Sequence, residues 1–374
     1  MRGFVFAAVI LAIFTPGITL AQANINGVLY VGGGITNWGS GDIGSQINSA
    51  YASLPPTGGT ISVLPQANGS CYNFSTQINF STVGKYVILQ GLAPSTSANS
   101  NPGGVCLNFT PTSVASAIVI DWTPSYGGGN ATGAGLRDIT LVNSQPNQPG
   151  VACSTNGGCG SQAQGIQIGG GNGGMHEGLF SNVKVQGFQS GYKIVDAVGW
   201  GITWFHCTTV WNTIGINYVT VHELDQYIAG NLNTNWVGVA LSAWGAELAI
   251  IGVSIDANWA TSSGSGCGVS MADGAVLHLT NVHFENTSNG LPTYVCGGST
   301  LSSTVDITGG IAYDNLSSGT NSTAHWFSAG FISAKGLTLL SNGRTTTLSV
   351  FFANTRGSYD VMNRTPGSFP IIGN

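Results

Sequence analysis

The sequence is short of charge. Only 6% of its 374 residues are Asp, Glu, Lys or Arg, and Lys plus Arg number nine. Against 14 carboxylates, so few cations argue against nucleic acid or an anionic membrane as a partner, because either would call for a basic patch. Long apolar runs are missing beyond the first twenty residues, so no later segment reads as a membrane-spanning helix. Familiar catalytic signatures are missing too. There is no G-x-S-x-G, and His222-Glu223-Leu224-Asp225 lacks the second His of a zinc helix. Gly169 to Gly174 matches G-x-G-x-x-G in form, but no helix follows to receive a pyrophosphate.

What the chain does have is 57 Gly, nine Trp and 42% hydrophobic residues, which excludes disorder. Its polar capacity is carried by Asn, Ser and Thr, residues suited to tight turns and uncharged β surfaces. Arg2, the apolar run Val5 to Phe14 and Ala21-Gln22-Ala23 read as a secretory signal over 1–23, so the mature protein is expected outside the cell. Without Arg2 the balance is 8 basic to 14 acidic residues, a net charge of −6. Nine Asn-x-Ser/Thr sequons, beginning with Asn68, matter only in a host that glycosylates. Seven Cys in an exported chain predict disulfides. Cys153–Cys159 is the first expected pair, with Cys267–Cys296 and Cys71–Cys106 after it. Cys207 is expected to stay reduced and buried.

One helix is predicted, from Asp42 as N-cap to Leu54, with Ile43, Ile47, Ala50, Tyr51 and Leu54 on its apolar stripe. A strand follows at Thr60 to Pro65. Further on, five quartets align: Val183-Lys184-Val185-Gln186, Cys207-Thr208-Thr209-Val210, Gly230-Asn231-Leu232-Asn233, Val253-Ser254-Ile255-Asp256 and Val282-His283-Phe284-Glu285. They start 24, 23, 23 and 29 residues apart, the period of a stacked solenoid. A TIM barrel or doubly wound fold would need regular helices between these strands, and none is readable. The expected fold is all-β: a single-stranded right-handed parallel β-helix over 60–355. A segment with the capping helix precedes it at 24–59, and a tail follows at 356–374. Oligomeric state is not legible.

Gly58-Gly59-Thr60-Ile61-Ser62-Val63-Leu64-Pro65, then Tyr72-Asn73-Phe74, then Val87-Ile88-Leu89-Gln90-Gly91, resemble the opening of the pectin-lyase-like β-helix superfamily. The resemblance covers the N-terminal hundred residues in detail and the rest only as a repeat. It implies the fold and a polysaccharide partner, but spans lyases, hydrolases, epimerases and non-enzymes. The chain departs from the polygalacturonases in lacking an Asp-Asp pair, a Gly-His-Gly and an Arg-x-Lys, and it lacks the Arg-rich motif of classical pectate lyases.

Alternation along each quartet puts its second and fourth residues outside. One outer column then reads Lys184, Thr208, Asn231, Ser254, His283, and its neighbour Gln186, Val210, Asn233, Asp256, Glu285. Asp256, Glu285 and His283 are thereby expected to meet, as the densest titratable cluster the sequence allows in a chain with four Glu and six His. Paired carboxylates can divide into acid and base, because repulsion raises one pKa. They can also hold Ca²⁺ through oxygen, or simply be a solvated face. No other cofactor is implied. Trp236 and Trp259, each six past its quartet start, are expected to flank the pair. They read equally as sugar platforms and as turn packing. Lys184, Asn231 and Asn233 complete the expected substrate surface. A glycoside hydrolase is favoured over a uronate lyase, which needs more cations than Lys184 and His283 supply. A non-catalytic carbohydrate-binding or cell-surface protein is the third reading.

Overall fold

A computed structural model describes residues 24–363 and 371–373, apart from 26, 36, 93–104, 111–114, 125–132, 144–162, 171–172, 196–198, 257, 259–266, 287–293, 298–301, 315–325, 342–351 and 354–355. Among these residues the strands stack in parallel as a right-handed β-helix. Each coil has three sides. Thr203–Phe205 forms the first face, Thr208–Val210 the second and Ile214–Tyr218 the third. The next coil repeats them as Asp225–Ile228, Asn231–Asn233 and Val237–Leu241. Faces one and two belong to one sheet, because strands such as Leu179–Gln186 run through the corner between them. Face three is a separate ten-stranded sheet.

One residue turns the corner between faces one and two, in the left-handed region. Asn182, His206, Ala229, Gly252 and Asn281 hold it in successive coils, with φ from 51° to 61°. Gly and Asn take that conformation at least cost, and they fill three of these five corners. Inside the coil the quartets point as alternation requires. Val183, Val185, Cys207, Thr209, Leu232, Val253, Ile255, Val282 and Phe284 are all buried. Aromatic rings continue the stack along the axis: Phe180, Trp204 and Tyr227 lie nearly parallel, 5.9 and 6.3 Å apart.

The helix Ile43–Ser53 is N-capped by Asp42, whose Oδ1 accepts from the Ser45 amide at 2.9 Å. It closes the open edge of face three. Asn48 Nδ2 donates to Gln77 O and its Oδ1 accepts from Asn79 N, so the outermost strand Ile78–Phe80 has its edge groups paired. The array is longer than 60–355 at both ends. Val28–Gly32 pairs with Gly58–Leu64 ahead of it, and Arg356–Asn363, expected as a tail, pairs with Phe331–Ser341. Solenoid pairing is by backbone, so segments of weak apolar alternation join it as readily as strong ones. No helix of the described residues is long and apolar enough to cross a membrane.

Cys71–Cys106 and Cys267–Cys296 are bridged. Cys207 is reduced and buried, and burial pushes its thiol up to about 12, so it is inert packing. Cys153 and Cys159 lie outside the described residues.

Candidate active site

The 29-residue step does not disturb the register. Ser254 pairs with His283, and Asp256 with Glu285, across adjacent coils of face two. The additional residues of that coil fall after Asp256, between face two and face three. Both outer columns therefore run as alternation requires, from Lys184 through Thr208, Asn231 and Ser254 to His283, and from Gln186 through Val210 to Asn233.

Asp256, His283 and Glu285 come together. One donor atom from each lies within 4.8 Å of the others, the only such group of three among the described residues. His283 Nε2 stands 3.6 Å from Glu285 Oε2, with its side chain about half exposed. Asp256 sits deeper. Its Oδ2 accepts a short hydrogen bond from Ser254 Oγ, and its Oδ1 is buried with no hydrogen-bond partner. Its backbone amide donates to Asn233 Oδ1 at 3.2 Å, so Asn233 holds the strand that carries the carboxyl. Burial raises the Asp256 pKa, and the Glu285 charge raises it further. The Ser254 hydroxyl and His283 pull it back only in part. One carboxyl of the pair is thus biased towards keeping its proton beside a second carboxyl. Asp, Glu and His within this reach could also bracket a divalent cation.

Other expected site residues fare differently. Asn231 borders the group, paired with Ser254. Lys184 lies three coils before Ser254, roughly 14 Å along the axis at the usual strand spacing, and its half-buried ammonium has its pKa lowered by desolvation. It does not reach the carboxylates. Trp236 is a correction. It is only 7% exposed and packs beside Val237 and the Cys267–Cys296 bridge. It directly follows Asn235 as the chain enters face three and belongs to a small cluster with Val237, Ala240 and Cys267 apart from the main core, so it is turn packing and no sugar platform. Trp259 lies outside the described residues.

The sequence reading missed three things. Ser254, two residues before Asp256, shares its outward face and hydrogen-bonds it. A second titratable group sits on face one, where His278 lies 3.6 Å from Glu247 and 3.3 Å from Asp306. In this second one the imidazole fills the space between two partly exposed carboxylates, an arrangement that suits a surface ion pair. The quartets followed face two alone, which hid it. Third, Trp211 directly follows Val210 of the carboxylate column and is 41% exposed. Asp225, near which no zinc site forms, is structural: it accepts from the Ile202 amide and the Tyr218 hydroxyl, 2.8 Å each, with His222 Nδ1 also at 2.8 Å.

No protein-family model and no curated protein matches the sequence. Solved structures do match in shape. The enzymatically active domain of tailspike protein 4 of bacteriophage CBA120 aligns with a TM-score of 0.54 at 15% identity, over 92% of this chain and 44% of that one. The corresponding domain of tailspike protein 2 gives 0.51 at 14%, over 87% and 41%. This chain thus spans less than half of either tailspike domain. DFA-IIIase from Arthrobacter chlorophenolicus A6, in complex with GF2, gives 0.53 at 12%, over 93% and 80%. At such identities the likeness is one of architecture alone, that of a right-handed parallel β-helix.

Proposed function

We propose that this is a secreted glycan-degrading enzyme, a glycoside hydrolase in which Asp256 is the general acid and Glu285 the nucleophile. The observation that carries it is the pairing of the two carboxyls on adjacent coils, with one pKa raised by burial. The fold supports an active protein, since it carries enzymatically active domains in the tailspikes and DFA-IIIase with GF2 bound in the Arthrobacter protein. The scarcity of cations supports a neutral or weakly charged glycan. Uronate elimination needs positive groups at the carboxylate, and Lys184 is roughly 14 Å away along the coil axis.

Inverting pairs stand roughly 6.5 to 9.5 Å apart to admit a water, and retaining pairs about 5 to 5.5 Å. Carboxyls on adjacent coils, with ligand atoms within 4.8 Å of one another, favour the closer, retaining class. Asp256 gives its proton to the leaving glycosidic oxygen while Glu285 attacks the anomeric carbon. Asp256, now ionised, takes a proton from the water that releases the sugar from Glu285. His283, beside Glu285, orients that carboxylate.

Proton NMR of the first product formed from a neutral polysaccharide panel should show the anomer of the substrate. Inverted product would remove Glu285 from the nucleophile's role. Turnover should also survive dialysis against a strong chelator. Its loss, with recovery on adding a divalent ion, would mean that the three side chains serve a metal and not a proton.

A further inference from the structure

We infer that Trp211 is a sugar-binding platform beside the same outer column, placed to hold the glycan chain two coils away from the bond being cut. The inference rests on the hydrolase reading for its substrate class but on separate observations for the site.

The first observation is position. Val210 pairs with Asn233, and Asn231 of that strand pairs with Ser254 of the Asp256 strand. Trp211 therefore stands on the carboxylate column's edge, roughly 10 Å along the axis from the Asp256 coil. A glycan lying along the column bridges that distance, and a single sugar ring does not.

The second is backbone. The corner after face two requires a left-handed residue, as the other corner does. Gly187 fills the position in the preceding coil with φ 90°, and Thr234 in the next with φ 50°. Trp211 fills it at φ 55°. Glycine takes this conformation freely, whereas a bulky side chain strains the backbone. Strain of this kind clusters at ligand-holding sites. The third is exposure. At 41% exposed, the indole is not committed to the core, in contrast to Trp236. A flat apolar ring among uncharged neighbours suits the C–H face of a sugar. The turn also fixes it firmly, because Asn212, the next residue, is tied to Asn235 in the coil below.

The test exploits the strain. Trp211→Gly removes the indole and relieves the backbone, so a merely structural role and a binding role predict opposite things. Affinity electrophoresis in gels containing β-glucan, xylan, mannan, arabinan, galactan or fructan reads binding without turnover, with Asp256→Asn as the parent protein. At least one glycan should retard the parent. Asp256→Asn,Trp211→Gly should lose most of that retardation, about tenfold or more in apparent affinity, with a Tm equal to or above the parent's. In the Trp211→Gly enzyme, KM should rise for long chains while kcat on an aryl monoglycoside stays put. Equal retardation of the two proteins, retardation of neither, or a fall in Tm with binding intact overturns the inference. Activity of the unmodified enzyme on the same panel shows separately whether the hydrolase reading stands.

Discussion

Glu285→Ala should abolish hydrolysis, and a small nucleophile such as azide should restore part of it. Removing a catalytic acid or base typically costs about 10² to 10⁴ in rate. A lost nucleophile belongs at the upper end, because the covalent route closes. Azide fits the space vacated by the carboxylate and yields a glycosyl azide of inverted configuration. Asp256→Asn should lose a comparable factor on unactivated glycans. In kcat/KM it should lose far less on aryl glycosides, whose leaving group needs no proton in the first step, although the second step still lacks its base. A Glu285→Ala protein that keeps a tenth of its turnover, or regains none with azide, sinks the assignment.

Asp256→Asn carries a stability signature of opposite sign to its effect on rate. The raised pKa of Asp256 means that the fold disfavours its charge. Stability from this group is fully present below the ordinary aspartate value of about 3.9, and is lost as pH rises through the raised folded value. At neutral pH Asp256 therefore weighs against folding, and Asp256→Asn should raise Tm. The gain should shrink as the pH is lowered and the wild-type carboxyl takes up its proton. For catalysis the sign is the same: the alkaline limb of the rate profile marks loss of the Asp256 proton. A dead enzyme that melts higher at pH 7 distinguishes an active-site carboxyl from a structural one, whose removal would lower Tm.

The face-two cluster was legible because it depends only on register. Once Val253 and Val282 are read as inward, alternation leaves Asp256 and Glu285 no choice of face, and the backbone ladder fixes them as neighbours. Trp236 was not legible for the converse reason. Turn residues follow no alternation, so a six-residue offset from the quartet start says where the ring is along the chain and not which way it points. The face-one group of Glu247, His278 and Asp306 needed a second set of aligned strands. Those strands carry apolar residues on both faces at several positions, for example Phe205 and Ile228, which blurs their period. The array's first and last strands were hidden by weak alternation.

A periodicity that was in plain view and went unread sets the last prediction. Asn212, Asn235 and Asn258 recur every 23 residues at the corner between faces two and three. In the structure they form a ladder along the axis. The Asn235 amide donates to Asn258 Oδ1 at 3.0 Å, and the Asn212 amide to Asn235 Oδ1 at 3.1 Å. Asn212 Nδ2 also donates to Asn235 Oδ1, while Asn235 Nδ2 donates to Thr209 O and Oγ1. Asn235 is fully buried. Truncating it to Ala would strand the Asn212 amide and the Thr209 carbonyl away from water, and each orphaned buried group costs about 1 to 3 kcal/mol. The sum, roughly 2 to 6 kcal/mol, corresponds to a fall in Tm of roughly 3 to 8 °C for a domain of about 350 residues. Asn235→Asp keeps the acceptor but not the donor. It should fall between the two at low pH, and should worsen as its buried carboxyl is forced to ionise. Thr234→Ala, on the partly exposed residue before it, should shift Tm far less. Because Asn258 follows Asp256 by two residues, loosening the ladder also loosens the strand end that presents the acid. Asn235→Ala should therefore lose turnover at temperatures where it is still folded by circular dichroism. Unchanged melting in Asn235→Ala would show that water satisfies those groups, and that the corner is held by its neighbours' packing alone.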